Sequence, residues 1–129
     1  MYGFNTTFSG TLDEAVDRVT EELAKEGFGI LTEIDVKATL KKKLDVDRRP
    51  YIILGACNPN LAKVAIEKVP DIGLLMPCNV VVREEEDESV TVAFMDPVVV
   101  LGIAEAEELA EIGIEARERL LRVCEALSG

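Results

Sequence analysis

The sequence predicts an α+β domain: a mostly antiparallel, curved sheet with helices packed on one side and short extra helices between the strands. Three observations predict it. Short runs alternate apolar and polar residues with period two, and helical stripes begin at recognisable caps. An acidic stretch, Glu84-Glu85-Glu86-Asp87-Glu88, separates two such runs as a hairpin tip does. Connections are short, and no linker, repeat or low-complexity tract interrupts the chain, so residues 1–129 are expected to form one domain.

The elements follow in order. Tyr2, Phe4, Thr6 and Phe8 share one face of a strand over 2–8. Thr11-Leu12-Asp13-Glu14 matches a capping box, and Ala15, Val16, Val19 and Leu23 form the stripe of a helix over 12–26. Gly27 then stands where a left-handed C-cap belongs. Residues 28–34 read as a second strand, with Ile30, Thr32 and Ile34 on one face and Glu33 leaning to the other. Asp35 caps a short helix with the stripe Val36, Leu40 and Leu44, and Lys41, Lys42 and Lys43 fall in its last turn.

The run 51–56 is apolar on both faces and reads as a central strand. Asn58-Pro59 supplies an N-cap and a proline at the first helical position, so a helix runs from there to Pro70. A long strand is predicted over 74–83, and 90–94 returns as its hairpin partner. Asp96-Pro97 repeats the cap-plus-proline signal. A final helix is predicted over 103–127, with Glu105, Glu107 and Glu108 at its start and Arg117, Arg119 and Arg122 toward its end, an order that suits the helix dipole.

Composition removes several function classes. The 25 acidic and 14 basic residues leave a net charge of −11, which repels phosphate backbones and argues against nucleic-acid binding. The basic cluster Lys41, Lys42, Lys43, Arg48 and Arg49 is a candidate anion site, or simply a helix end followed by a solvated loop. No apolar run approaches the roughly 20 residues needed to span a bilayer. The N-terminus lacks the basic start and apolar stretch of a signal peptide, and three cysteines do not make a secreted disulfide framework, so the cytoplasm is the expected location. Glutamine is absent while Glu, Lys and Arg abound, a bias that suits a thermophile.

The candidate site lies at two cysteines, each in a rigid frame: Ala56-Cys57-Asn58-Pro59 and Met76-Pro77-Cys78-Asn79. If the strands that carry them are antiparallel neighbours, Cys57 and Cys78 meet at one rim of the sheet. Cys57 directly precedes a helix start, where the dipole and free N–H groups favour a thiolate. The chemistry this suggests is a low-pKa thiol with Cys78 as resolving partner, and Asn58 and Asn79 as hydrogen-bond donors. The plain alternative is that the thiols pack as small hydrophobes while the asparagines and prolines shape turns. Glu33 and Asp35 bring carboxylates toward the same rim, although a cap and a solvated strand residue explain them equally well.

The chain contains no histidine, and the cysteine spacing is not Cys-x-x-Cys, which excludes thioredoxin-like chemistry and leaves too few ligands for a closed zinc site. No metal and no cofactor is expected. Neither a nucleotide-binding glycine pattern nor a Gly-x-Ser-x-Gly elbow is present. Cys124 falls on the apolar side of the last helix and reads as core.

Taken in order, the stretches 27–40, 51–59 and 72–82, followed by Met95-Asp96-Pro97, resemble the domain-of-unknown-function 302 family. The resemblance runs through nearly the whole chain. It implies a β-α-β4-α fold like a single TATA-binding-protein repeat, with extra short helices, as in bacterial and archaeal members, and it implies a homodimer. It implies no established reaction, cofactor or catalytic residue. Two functional readings follow. One is a domain that binds a small molecule or performs thiol redox chemistry at the rim of Cys57, Asn58, Cys78 and Asn79. The other is a structural or interaction module, a homodimer without catalytic activity.

Overall fold

A computed structural model describes residues 1–128. The strands are β1 (Gly3–Phe8), β2 (Gly29–Asp35), β3 (Tyr51–Cys57), β4 (Cys78–Glu84) and β5 (Val90–Met95). The helices are α1 (Leu12–Lys25), α2 (Val36–Leu44), α3 (Pro59–Lys68), α4 (Pro97–Gly102) and α5 (Ala110–Leu127), with short 3-10 turns at Pro70–Leu75 and Glu107–Leu109. The five strands form one sheet in the order β1-β5-β4-β3-β2, and every neighbouring pair is antiparallel. The order β-α-β4-α with short helices between strands is the architecture expected from the sequence.

Pairing fixes which residues share a face, because side chains alternate along each strand. Phe4, Phe94, Val80 and Leu54 lie in one cross-strand row, and Val92 and Val82 in the next. These rows form the core together with Val19 and Leu23 of α1 and Leu120 and Val123 of α5. Helices α1 and α5 therefore cover this face. Cys124 packs half-buried against the same core.

Local signals account for most element ends. The Thr11 hydroxyl accepts from the Glu14 N–H at 3.2 Å, and the Glu14 carboxylate accepts from the Thr11 N–H at 3.0 Å, completing the box that starts α1. Gly27 follows that helix with φ +85°, a conformation open to glycine at little cost. At the β4–β5 tip, Asp87 accepts from both the backbone and the hydroxyl of Ser89, which turns the acidic stretch back on itself.

Two predicted elements differ. The strand expected over 74–83 begins only at Cys78, because Pro70 opens a 3-10 turn that carries Leu74 and Leu75. The helix expected over 103–127 begins only at Ala110: a separate helix, α4, ends before it at Gly102, and Glu107–Leu109 forms a 3-10 turn. Chain direction changes at Glu105, which has φ +55°, so that both Leu101 and Leu109 reach a second apolar cluster with Ala65 and Ile72. The dipole argument for that helix also changes. No basic residue lies in the last turn of α5, and its arginines serve lateral ion pairs instead: Arg117 to Asp96, Arg119 to Glu115 and Arg122 to Glu26.

Candidate functional site

The second apolar cluster roofs the rim where β3 ends and β4 begins. Ala56 is the direct cross-strand partner of Cys78, so Cys57 and Cys78 stand one step apart on neighbouring strands. Both are free thiols, and both line a cavity of about 40 Å³ with Asn58, Leu61, Met76 and Met95. One water occupies about 10–15 Å³ on this measure, so the cavity has room for a few waters and no metabolite.

The thiols are not activated. Burial pushes Cys57 above the ordinary thiol range. Burial, with a smaller contribution from the Cys57 charge, pushes Cys78 up to about 11. The dipole of α3 does not reverse this: Pro59 at its first position has no N–H, and the Leu61 and Ala62 N–H groups are already engaged. The Asn58 side-chain oxygen accepts from Leu61 N at 3.3 Å, and the Asn58 carbonyl accepts from Ala62 N at 2.9 Å. The expectation of a low-pKa thiol is thus corrected: desolvation outweighs the helix terminus.

Asn58 is buried and committed. Besides capping α3, its amide approaches the Glu26 carbonyl at 3.4 Å, the same oxygen that Arg119 Nη1 reaches at 2.8 Å. Glu26 in turn grips Arg122, which holds its carboxyl below the usual carboxylate range. Asn58 ties the end of α1 to the start of α3, with α5 behind them.

The other sequence-predicted residues lie elsewhere. Asn79 follows Cys78 and points to the opposite face of the sheet, where it is exposed. Glu33 pairs with Leu54 on edge strand β2, whereas Cys57 pairs with Gly29. Four residues of strand separate them, about 13 Å at ~3.3 Å per residue. The structure therefore brings together Cys57, Asn58 and Cys78, and leaves Asn79 and Glu33 apart from them. In the basic cluster, Lys41 pairs with Asp45 and Asp47, Arg49 pairs with Glu84, and Arg48 stacks over Tyr51. Lys41 and Arg49 are thus paired, whereas Lys42 and Lys43 form no ion pair among the described residues.

Asn79 belongs to a larger feature. The sheet face opposite the core bears a groove of about 690 Å³ across β1, β5 and β4, walled by the 3-10 turn and Pro77. Val81, Ala93 and Met95 supply an apolar floor, and Asn5, Asn79 and Tyr2 supply polar groups. Arg83 lies at one end, doubly bonded to Glu85, which also accepts from Thr91. Period-two alternation marks Asn5, Asn79 and Arg83 as outward-facing; it does not reveal that this side carries a groove.

Thiol titration checks the ionisation argument. Alkylation of Cys57 by iodoacetamide is expected to be slower at pH 7 than that of a free thiol, with the rate still rising beyond pH 9. The stabilising effect of the buried thiols is full below about pH 9 and is lost as pH rises toward the Cys78 value of about 11. Rapid labelling at neutral pH, with an apparent pKa below that of a free thiol, contradicts the assignment.

These features define a small α+β domain whose antiparallel sheet is helix-covered on one face and grooved on the other. The chain belongs to the family described as domain of unknown function DUF302, whose family model matches residues 4–127. It is similar to a crystal structure of an uncharacterized conserved DUF302 protein from Bacillus stearothermophilus, with 27% identity and a TM-score of 0.91. The likeness covers 98% of each chain. No match is found among the curated proteins. Family and neighbour indicate no biochemical function.

Proposed function

We propose that this chain is a small-molecule-binding domain whose ligand lies in the groove on the open sheet face. One observation carries the reading: the 690 Å³ groove has the size of a small-molecule site, with apolar walls and a few convergent polar groups. Asn5 and Asn79 offer amide donors and acceptors above an apolar floor, which suits an uncharged, partly planar ligand. Arg83 is neutralised by Glu85, so an anion gains little there. Of the candidate rim, Asn79 is the residue that joins this function. The thiol redox version loses its support because the cavity at Cys57 and Cys78 is small and both thiols are held protonated.

The test is ligand-observed NMR with a panel of neutral metabolites against wild type and Val81→Arg. The substitution extends a charged side chain from the half-exposed centre of the groove floor. At least one compound is expected to bind wild type and to lose most of its signal on Val81→Arg. Binding that survives this substitution unchanged places the ligand elsewhere and removes the reading.

A second reading, a homodimer, is favoured by α2, a helix of nine residues none of which is buried. A cytoplasmic setting in a thermophilic prokaryote belongs with both readings, supported by the glutamine-free, charge-rich composition. No helix of the described residues is long and apolar enough to cross a membrane.

A further inference from the structure

No residue of helix α2 is buried, Val36 and Leu40 being half-buried, and Leu44 at its end and Val46 just beyond it are 66% and 46% exposed. Lys37, Lys42 and Lys43 on it form no ion pair among the described residues, in a chain whose net charge is −11. Such a basic, half-apolar helix is unusual on so acidic a surface.

A complementary surface exists on the same chain. Between α4 and the start of α5 lies a notch of about 350 Å³, lined by Val98, Leu101, Gly113 and Ile114. Gly113 lets the two helices approach closely, since a Cβ there would stand 3.3 Å from the Pro97 carbonyl oxygen. Ile103 and Ile114 beside the notch are 66% and 50% exposed. Glu105 and Glu107 line it, and Glu108 and Glu111 are exposed nearby. None of these four carboxylates has an ion-pair partner among the described residues.

We infer that α2 of one copy docks into the α4–α5 notch of a second copy of this chain. Leu44 and Val46 would enter the apolar notch, and Lys42 and Lys43 would meet the glutamates at its rim. The strand register supports a reciprocal arrangement. Asp35, just before α2, pairs with Ile52 near the start of β3, whereas Met95, just before α4, lies by the β4 start that faces the end of β3. Helix and notch thus sit at opposite ends of the sheet. Two copies lying antiparallel bring each α2 to the other's notch, so both contacts form together and the pair closes. This inference rests on the homodimer reading above and names its surfaces.

Sedimentation equilibrium with light scattering tests it on the full chain. Wild type is expected to dimerise, more weakly as salt rises, because the contact carries opposed charges. Lys42→Glu with Lys43→Glu, and separately Glu107→Lys with Glu108→Lys, should each weaken the dimer by roughly tenfold or more. The four substitutions together should restore much of the affinity, which a merely structural effect of either pair would not do. A dimer indifferent to all these changes overturns the notch while leaving the homodimer reading in place. A wild-type chain monomeric at 0.1 mM, roughly the upper range of ordinary self-association assays, overturns both.

Discussion

Phe94→Ala is expected to cost about 3–5 kcal/mol, a large share of the roughly 5–15 kcal/mol typical of such a domain. Phe94 is 1% exposed and lies on the core face of β5, in the cross-strand row between Phe4 and Val80. Its ring stacks on that of Phe4 at a centroid distance of 5.7 Å, so truncation forfeits that contact as well as its burial. Backbone pairing on both sides holds β5 in place, which prevents the sheet from collapsing into the void. That rigidity puts the expected cost toward the upper part of the range. Urea unfolding should show a lower midpoint with little change in slope. Phe94→Leu, which keeps most of the volume, should cost no more than about 1.5 kcal/mol. If Ala and Leu prove equally mild, Phe94 does not organise the core.

What the sequence made legible, and what it hid, follows from the range of the interactions involved. The capping box at Thr11 and the caps at Asn58 and Asp96 depend on neighbours two or three residues away, and each forms as expected. The antiparallel pairing of β3 and β4, on which the approach of Cys57 to Cys78 depends, was only a condition at the level of sequence, because α3 and a 3-10 turn separate the two strands in the chain. Leu74 and Leu75 misled because an apolar pair looks alike in a strand and in a turn; Leu75 packs on the second cluster while Leu74 is 84% exposed. The break at Glu105 was hidden for a related reason. Only the distant positions of Ala65 and Ile72 make it favourable to turn both Leu101 and Leu109 inward.

The site divides in the same way. Its rim was visible because Cys57, Asn58 and Cys78 occupy special local frames. The ionisation of the thiols was not, since burial at the rim comes from α3, α4 and the 3-10 turn acting together. Asn58 shows how a local and a distant role coincide: the cap is written in Asn58-Pro59, while the contact with the Glu26 carbonyl requires the tertiary fold. Asn79 was grouped with Cys78 by adjacency, yet adjacency along a strand separates side chains to opposite faces. The groove it joins is lined by Met1–Asn5 and Leu74–Pro77 as well as by β4 and β5, segments far apart in the sequence.

Gly55→Ala tests the wall of that groove and should destabilise the chain by about 1–3 kcal/mol. Two effects oppose each other here. Alanine is the better residue within a strand by about 0.5–1 kcal/mol. Against that, a Cβ at Gly55 would overlap the Thr32 hydroxyl and stand 2.9 Å from Pro77 Cγ. Thr32 is an exposed residue of edge strand β2 and can yield, but Pro77 is half-buried between Met76 and the strand that starts at Cys78. The steric cost therefore wins. Thr32→Ala alone should be nearly neutral, and in combination it should recover on the order of 1 kcal/mol of the loss, a coupling expected only of residues in contact. The remainder belongs to Pro77. Because Pro77 walls the groove, Gly55→Ala should also weaken whatever neutral ligand the wild-type groove binds, while Thr32→Ala should leave that binding unchanged. A Gly55→Ala variant as stable as wild type would mean that Pro77 does not rest on β3, and the groove would lose the wall that gives it its depth.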